Sequence, residues 1–485
     1  MAEQARCSPA WSLCLPLLSA TSLLSAPPGN HLPTALIAAT LFSIAQFVLP
    51  GSRFRKDHYF SPVNLALLLF LLKLVVVPAL IAMTGAETDL PMSLPSWKAM
   101  DWTLYVDIMA FFAFSLGLEA ISRRRTKAVF MEAALSQTPS SVYLVVFAGV
   151  GLIGFVAVFG DLSRLTDYFV KGSIVTELQN DAAGTLRGLI GTVFRPFLAF
   201  ALAAWWARVV DRDRDRPQVW KSSATGLIAA LGITLANLTF SFNRAAFVFP
   251  VLCLAAVYST RVRRIPAALA GIVLVVAIPA LLAVSAYRSN LMMGADATVE
   301  DALENSMRNV SQQLQIYSGG PQLTGNFYES IGWGDHLYLG STLVNSLLSP
   351  IPVLGMRSRE TNGPAVYNYA LYGVRDIEDQ IIPLDVELFA NFHVPGVLFG
   401  FAALGMFVGR AEQWFAAARS AFGGFAVQYV SVWAAMLTVW SLSVYVQICW
   451  AFFGPIYVYL ASMQARRWLH NANRGRLISL FESGA

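Results

Sequence analysis

Apolar residues gather in long runs along this chain, and short polar segments separate the runs. A helix needs about 20 mostly apolar residues to cross a bilayer. Twelve stretches meet or approach that length: 9–26, 31–50, 60–84, 102–121, 140–160, 187–207, 223–240, 245–260, 266–286, 388–409, 424–443 and 446–464. The last two share one run, since residues 420–465 contain no Asp, Glu, Lys or Arg. At about 1.5 Å per residue that run is far too long for one span, so it predicts two helices joined by a tight hairpin. One long mixed segment, 287–387, interrupts the pattern. It carries turn signals such as Ser318-Gly319-Gly320-Pro321 and predicts short helices lying on the membrane surface. The expected fold is all-α and polytopic, with about 12 transmembrane helices. Nine occupy residues 1–286, one large outer loop occupies 287–387, three helices occupy 388–464, and a tail occupies 465–485. Residues 1–26 also resemble a signal peptide, but Pro27 and Pro28 make a poor cleavage site, so a retained first helix is expected.

Composition agrees with this reading. Hydrophobic residues make up 56% and charged residues 13%, against roughly 25% charge in soluble domains. Charge placement then sets orientation, because cytoplasmic loops are rich in Lys and Arg. With the N-terminus inside and spans alternating, the inside segments hold 22 of the 34 basic residues, while 287–387 holds five. Both termini are therefore expected in the cytoplasm, and 287–387 outside. Asp211-Arg-Asp-Arg-Asp-Arg216 reads as a solvated connector. Cys7, Cys14, Cys253 and Cys449 show no metal spacing and read as small packing residues. No GxGxxG or Walker sequence and no His/Cys cluster occurs, so no cofactor, metal or nucleic acid is expected. Glu87 and Asp89 form a lone acidic pair in a short outer loop, where a solvated loop end accounts for them.

Charged residues inside a bilayer are costly and mark a cavity, a partner or a site. Arg195 lies about 20 Å above the inner boundary at Arg208, and Arg244 about 26 Å above Arg261. His393 lies about 26 Å from Arg410, with Glu387 about 9 Å beyond it, and Arg288 follows the outer end of the ninth span. Five candidate groups thus share one outer depth. Arginines there also snorkel to lipid headgroups, and both readings of Arg288, Arg244 and Arg195 stay open. Lys73 and Asp107 are deeper and are expected to pair with each other. Arginine offers a planar, permanently charged fork suited to pyrophosphate. A histidine or carboxylate at the same depth suits proton transfer from an attacking hydroxyl. Between them, Glu387 is expected to be held by Arg244 or Arg288 and His393 to accept the proton. Asp379 and Asp385 stand behind them as further carboxylates of the loop.

These residues resemble the Wzy-type oligosaccharide repeat-unit polymerases, the O-antigen and exopolysaccharide polymerases. Glu387-Leu-Phe-Ala-Asn-Phe-His-Val-Pro-Gly396 is similar to the family's Glu-x-x-x-Asn-Phe-Gly-x-x-Gly segment after the large outer loop, with His393 where a Gly is usual. Phe242-Asn243-Arg244-Ala245 is similar to the family's Ser-Arg-Gly hairpin, with Asn243 and Ala245 as departures, and Tyr287-Arg288 leads into the loop. The resemblance implies a membrane-embedded, metal-independent glycosyltransferase of GT-C-like architecture in a bacterial inner membrane. Its substrate would be an undecaprenyl-pyrophosphate-linked oligosaccharide, joined to the next lipid-linked repeat unit at the periplasmic face. Its partners would be the lipid bilayer and the chain-length regulator and flippase of the same pathway. Rival readings are a ligase moving glycan to lipid A core, a polysaccharide transporter, and a non-catalytic assembly factor.

Overall fold

The computed structural model describes residues 9–27, 32–55, 58–85, 94–122, 138–159, 190–191, 193–212, 218–241, 244–266, 268–269, 310–332, 337–351, 354–373 and 381–465. Among them every regular element is helical. The elements are α1 (Pro9–Leu24), α2 (Pro33–Val48), α3 (Pro62–Leu71), a π-helical turn (Leu72–Val76), α4 (Val77–Thr84), α5 (Trp97–Ser122), α6 (Ser141–Phe159), α7 (Pro196–Arg212), α8 (Val219–Ser241) and α9 (Arg244–Arg261). In the long segment that the sequence is expected to place outside follow α10 (Val310–Ser318), α11 (Pro321–Ser330), α12 (Ser341–Leu348), α13 (Leu354–Arg359) and α14 (Gly363–Tyr372). The chain closes with α15 (Leu384–Ala417), α16 (Ala421–Ala435), α17 (Leu442–Phe452) and α18 (Gly454–Ala465). Among the described residues five helices are long and apolar enough to cross a membrane, and six if the bent pair α17–α18 is one span.

Most helices begin and end close to the predicted boundaries, while the run expected over 187–207 gives the helix Pro196–Arg212. Residues 267 and 270–286 lie outside the described residues together with Arg288, Glu87, Asp89, Asp379 and 466–485. Three expectations need correction. The helix after the outer segment starts at Leu384, not 388, so Asp385 and Glu387 belong to its first turn. The final run is interrupted at 439–441, and its second part breaks again at Phe453 with a 62° bend, where Gly454 and Pro455 interrupt the helical bonding. The short helices of the outer segment do not all lie on a surface. Residues Pro321–Tyr328 of α11 are buried throughout and pack on α5.

The chain divides into two compact units. The first comprises 1–127, 258–416 and 427–447, and the second 128–257, 417–426 and 448–485. Small residues bring helices together inside the first. A Cβ added at Gly117 would sit 2.1 Å from the Ala402 carbonyl, and one at Gly405 would sit 2.1 Å from the Phe114 carbonyl. The backbones of α5 and α15 therefore touch, as small residues allow between membrane helices. Phe70 fills the space beside them, with its ring 5.4 Å from Phe114 and 6.1 Å from Phe401. Pro78 has no N–H to give the Leu74 carbonyl, and the turn before it widens to the π form.

A polar knot ties the 50–61 turn to the end of α15. Glu412 pairs with Arg55 at 3.2 Å and accepts a 2.7 Å bond from Ser61, whose hydroxyl also caps α3 through Val63 N–H. The Asn64 amide donates to the carbonyls of Arg55, His58 and Tyr59. The His58 ring stacks on Phe415 at 4.7 Å. Burial holds its pKa below the usual 6.5, and the Glu412 charge only partly offsets this.

In the second unit Gly151 brings α6 against α7, since a Cβ there would lie 2.5 Å from Leu198 N. Trp206 donates to the Ser222 carbonyl at 3.0 Å, and the Tyr143 hydroxyl meets Ser462. Asp211, expected in a solvated connector, accepts from the Ala421 N–H at 2.9 Å and so caps α16. Cys14, Cys253 and Cys449 are free thiols.

Two outcomes test this packing. Gly405→Val should cost about 1–3 kcal/mol or more, because the added atoms meet backbone, whereas Gly149→Ala, with open space around it, should cost nothing. Thermal unfolding in detergent reads both. The second outcome concerns acid. A histidine whose folded pKa is lowered withdraws stability as pH falls below 6.5, because the unfolded chain takes the proton more readily. His58→Phe, which keeps the stack, should flatten that part of the stability profile.

Candidate functional site

Lys73 and Asp107 pair as expected, at 2.9 Å, but they are two members of a trio. Asp385 holds the Lys73 ammonium through both carboxylate oxygens at 2.8 Å. The three side chains are 0–2% exposed. They come from the π-helical turn, the middle of α5 and the first turn of α15. Asp385 read as a loop carboxylate available for catalysis. Its place is a buried ion pair, because α15 begins earlier than its apolar run suggests. Tyr328 of α11 and Tyr367 of α14 face the trio. Burial raises both phenol pKa values, and the Asp385 charge adds to the shift, so both stay protonated.

One turn along α15, Glu387 and Asn391 share a helix face at i and i+4. Glu387 accepts from the Ser346 hydroxyl at 3.1 Å with one oxygen, and from the Leu442 N–H at 3.1 Å with the other. It therefore caps α17, where a carboxylate also meets the positive end of the helix dipole. Gly363 lies flat against it, since a Cβ there would sit 2.4 Å from the Glu387 carboxylate. Asn391 accepts from Gly340 N–H at 2.8 Å and donates to the Thr342 hydroxyl at 2.6 Å and the Glu387 carbonyl at 2.7 Å. The two side chains thus clamp α12, α14 and α17 onto α15. Glu387 was expected to be held by Arg244 or Arg288. Its partners among the described residues are neutral donors instead.

His393 sits at a break inside α15, with φ 56 and ψ −154. Pro395 cannot donate to the Asn391 carbonyl, which removes a helical bond at that point. A positive φ of this kind is open to glycine and strained for other residues, at about 1–3 kcal/mol. The ring is exposed and lies 4.2 Å from Phe389. Arg195 is buried at 2% exposure in the second unit, directly ahead of Pro196 and α7. Arg244 opens α9, and its side chain lies outside the described residues, as does all of Arg288. The shared depth of the three arginines therefore stays a sequence expectation.

Sequence reasoning missed Asp385 as the anchor of Lys73, and Thr342 and Ser346 as the partners of Asn391 and Glu387. One signal was present. Asp385 and Glu387 interrupt the otherwise apolar stretch from Ile381 to Phe389, and a pair of carboxylates in such a run calls for buried partners. No family model, curated protein or solved structure matches the chain.

The clamp makes a graded prediction. Asn391→Ala leaves the Gly340 N–H and the Thr342 hydroxyl without their partner, at about 1–3 kcal/mol for each buried group. Asn391→Asp keeps the acceptor for Gly340, and Thr342 can turn to donate, so its loss should be smaller. Thermal midpoints of the purified variants should fall in that order.

Proposed function

We propose that the chain polymerises undecaprenyl-pyrophosphate-linked oligosaccharide repeat units by glycosyl transfer at the periplasmic face of a bacterial inner membrane. In this reading it is a Wzy-type, GT-C-like enzyme with about twelve spans and both termini in the cytoplasm. The observation that carries the reading is the Glu387–Gly396 segment. Glu387 and Asn391, the two polar residues it shares with the family pattern, are the two that clamp the outer helices. At position 393, where the family has Gly and this chain has His, the backbone adopts a conformation that glycine takes freely. Residue type and local backbone thus support the same alignment.

The chemistry follows from the candidate groups that the sequence singles out. An acceptor sugar hydroxyl attacks the anomeric carbon of the donor. The bond to pyrophosphate breaks, a glycosidic bond forms, and undecaprenyl pyrophosphate leaves. Arg244, Arg288 and Arg195 would stabilise the charge that gathers on the departing pyrophosphate. The hydroxyl proton needs an acceptor. Glu387 is fully buried and occupied by two donors, whereas His393 presents an exposed ring, so His393 takes that role and Glu387 a positioning one.

The test is extension of lipid-linked repeat units by purified protein without nucleotide or metal. A ladder of longer products is expected, and Arg244→Ala should abolish it at unchanged protein yield, as the loss of a buried charge-assisted contact costs about 2–5 kcal/mol. His393→Gly relieves the backbone and removes the imidazole. It should therefore raise stability while slowing transfer about 10²–10⁴-fold. Extension at full rate by His393→Gly would leave His393 with no chemical role. Transfer to lipid A core without any extension would replace the polymerase reading with the ligase one.

A further inference from the structure

The trio of Lys73, Asp107 and Asp385 does not balance its charge. With all three ionised it carries one net negative charge, and its side chains are 0–2% exposed. The titratable groups that face it from the neighbouring helices are Tyr328 on α11 and Tyr367 on α14, and both are neutral phenols that bring no cation. Among the described residues, no other Lys, Arg or His forms an ion pair with either aspartate. A buried, uncompensated charge is heavily penalised, and a site of this kind restores balance by taking up a cation or a proton.

Geometry narrows the choice. The two carboxyls converge on one ammonium, which balances only one negative charge. Among the described residues neither Asp107 oxygen accepts a hydrogen bond, so its charge is the one left without donors. A metal cation takes several oxygen ligands, and no group of three or more His, Cys, Asp or Glu that could hold one gathers among the described residues, whereas a proton needs no further ligand. Lys73 grips both oxygens of Asp385 at 2.8 Å but reaches Asp107 through one oxygen, at 2.9 Å. Asp385 is thus the carboxylate and Asp107 the acid. The lysine itself sits on the π-helical turn, a local distortion that recurs at functional positions in helices. Ionisable groups at this depth also mark proton and ion pathways in membrane proteins.

We propose that Lys73, Asp107 and Asp385 form a proton-binding site, in which Asp107 holds the proton and Asp385 is the carboxylate that Lys73 anchors. The site joins two membrane-span helices to Tyr328 of the outer segment, so its occupancy bears on how that segment docks. It stands independently of the glycosyl-transfer reading.

Infrared spectroscopy of the full chain in lipid, with aspartate carboxyl groups labelled with carbon-13, tests this without any substitution. A labelled, protonated aspartic acid C=O band is expected at neutral pH, resistant to exchange in heavy water. Asp107→Asn should remove the band and keep the fold, because a neutral amide replaces a neutral acid of the same size. Asp385→Asn should also remove it, because Asp107 must then ionise against Lys73. Absence of the band from the wild-type protein would overturn the proposal. Persistence of the band in both variants would do the same. Stabilisation of the wild type by sodium chloride over choline chloride, lost in Asp107→Asn and unaccompanied by the band, would assign the site to a metal cation and also overturn it.

Discussion

A charged group taken out of water is stable in a helix bundle only where an opposite charge and hydrogen bonds meet it. Lys73 is such a group, and the carboxylates that meet it come from α5 and from the first turn of α15. This constraint reaches well beyond three side chains. It requires α15 to begin at Leu384, early enough to bring Asp385 onto the lysine. It sets the rotation of α15, which in turn places Glu387 and Asn391 toward α12, α14 and α17 one turn later. It also requires α5 and α15 to approach closely, and Gly117 and Gly405 supply the room.

The same helix carries two kinds of polar work in sequence. Its first turns hold buried groups with every partner inside the protein, and His393 then breaks the helix and presents its ring outward. A clamped stem is thus followed by a strained, exposed position. It explains how an outer segment of short helices can be fixed without a sheet or a disulfide among the described residues. The Ser346, Thr342 and Gly340 groups that receive the clamp belong to a helix whose polar side faces in, while Val344 and Leu347 face out. That inversion is what an apolar surrounding favours.

Much of the architecture was legible in the sequence because hydropathy is local. Runs such as 60–84 and 140–160 became helices within a few residues of their expected ends. The Lys73–Asp107 pair was legible for a related reason, since two opposite charges in neighbouring apolar runs have few other partners. Asp385 was not legible as their third member. It lies just after the charged stretch Arg375–Asp379 and so read as loop, and only the structure shows that helix has already begun there. The interruption at Phe453 was signalled by Gly454 and Pro455 but masked by an unbroken apolar run. Glu387 was expected against an arginine because carboxylates at membrane depth favour cations. Among the described residues a helix N-terminus, which no charge pattern reveals, is one of its partners, and the side chains of both arginines lie outside those residues. His393 stood out as a departure from a glycine position, and the backbone there gives that departure its physical meaning.

The central claim is that Lys73 and Asp385 are energetically one unit that fixes where α15 begins. A double-mutant cycle measures this directly, using Lys73→Met, Asp385→Asn and the combination in the full chain, read by unfolding in detergent. Lys73→Met strands the Asp385 charge and should be costly, Asp385→Asn leaves the lysine to Asp107 and should cost less, and the pair together should recover much of the Lys73→Met loss, with a coupling energy in the range of about 0.5–3 kcal/mol seen for contacting residues. Losses that simply add would contradict the account.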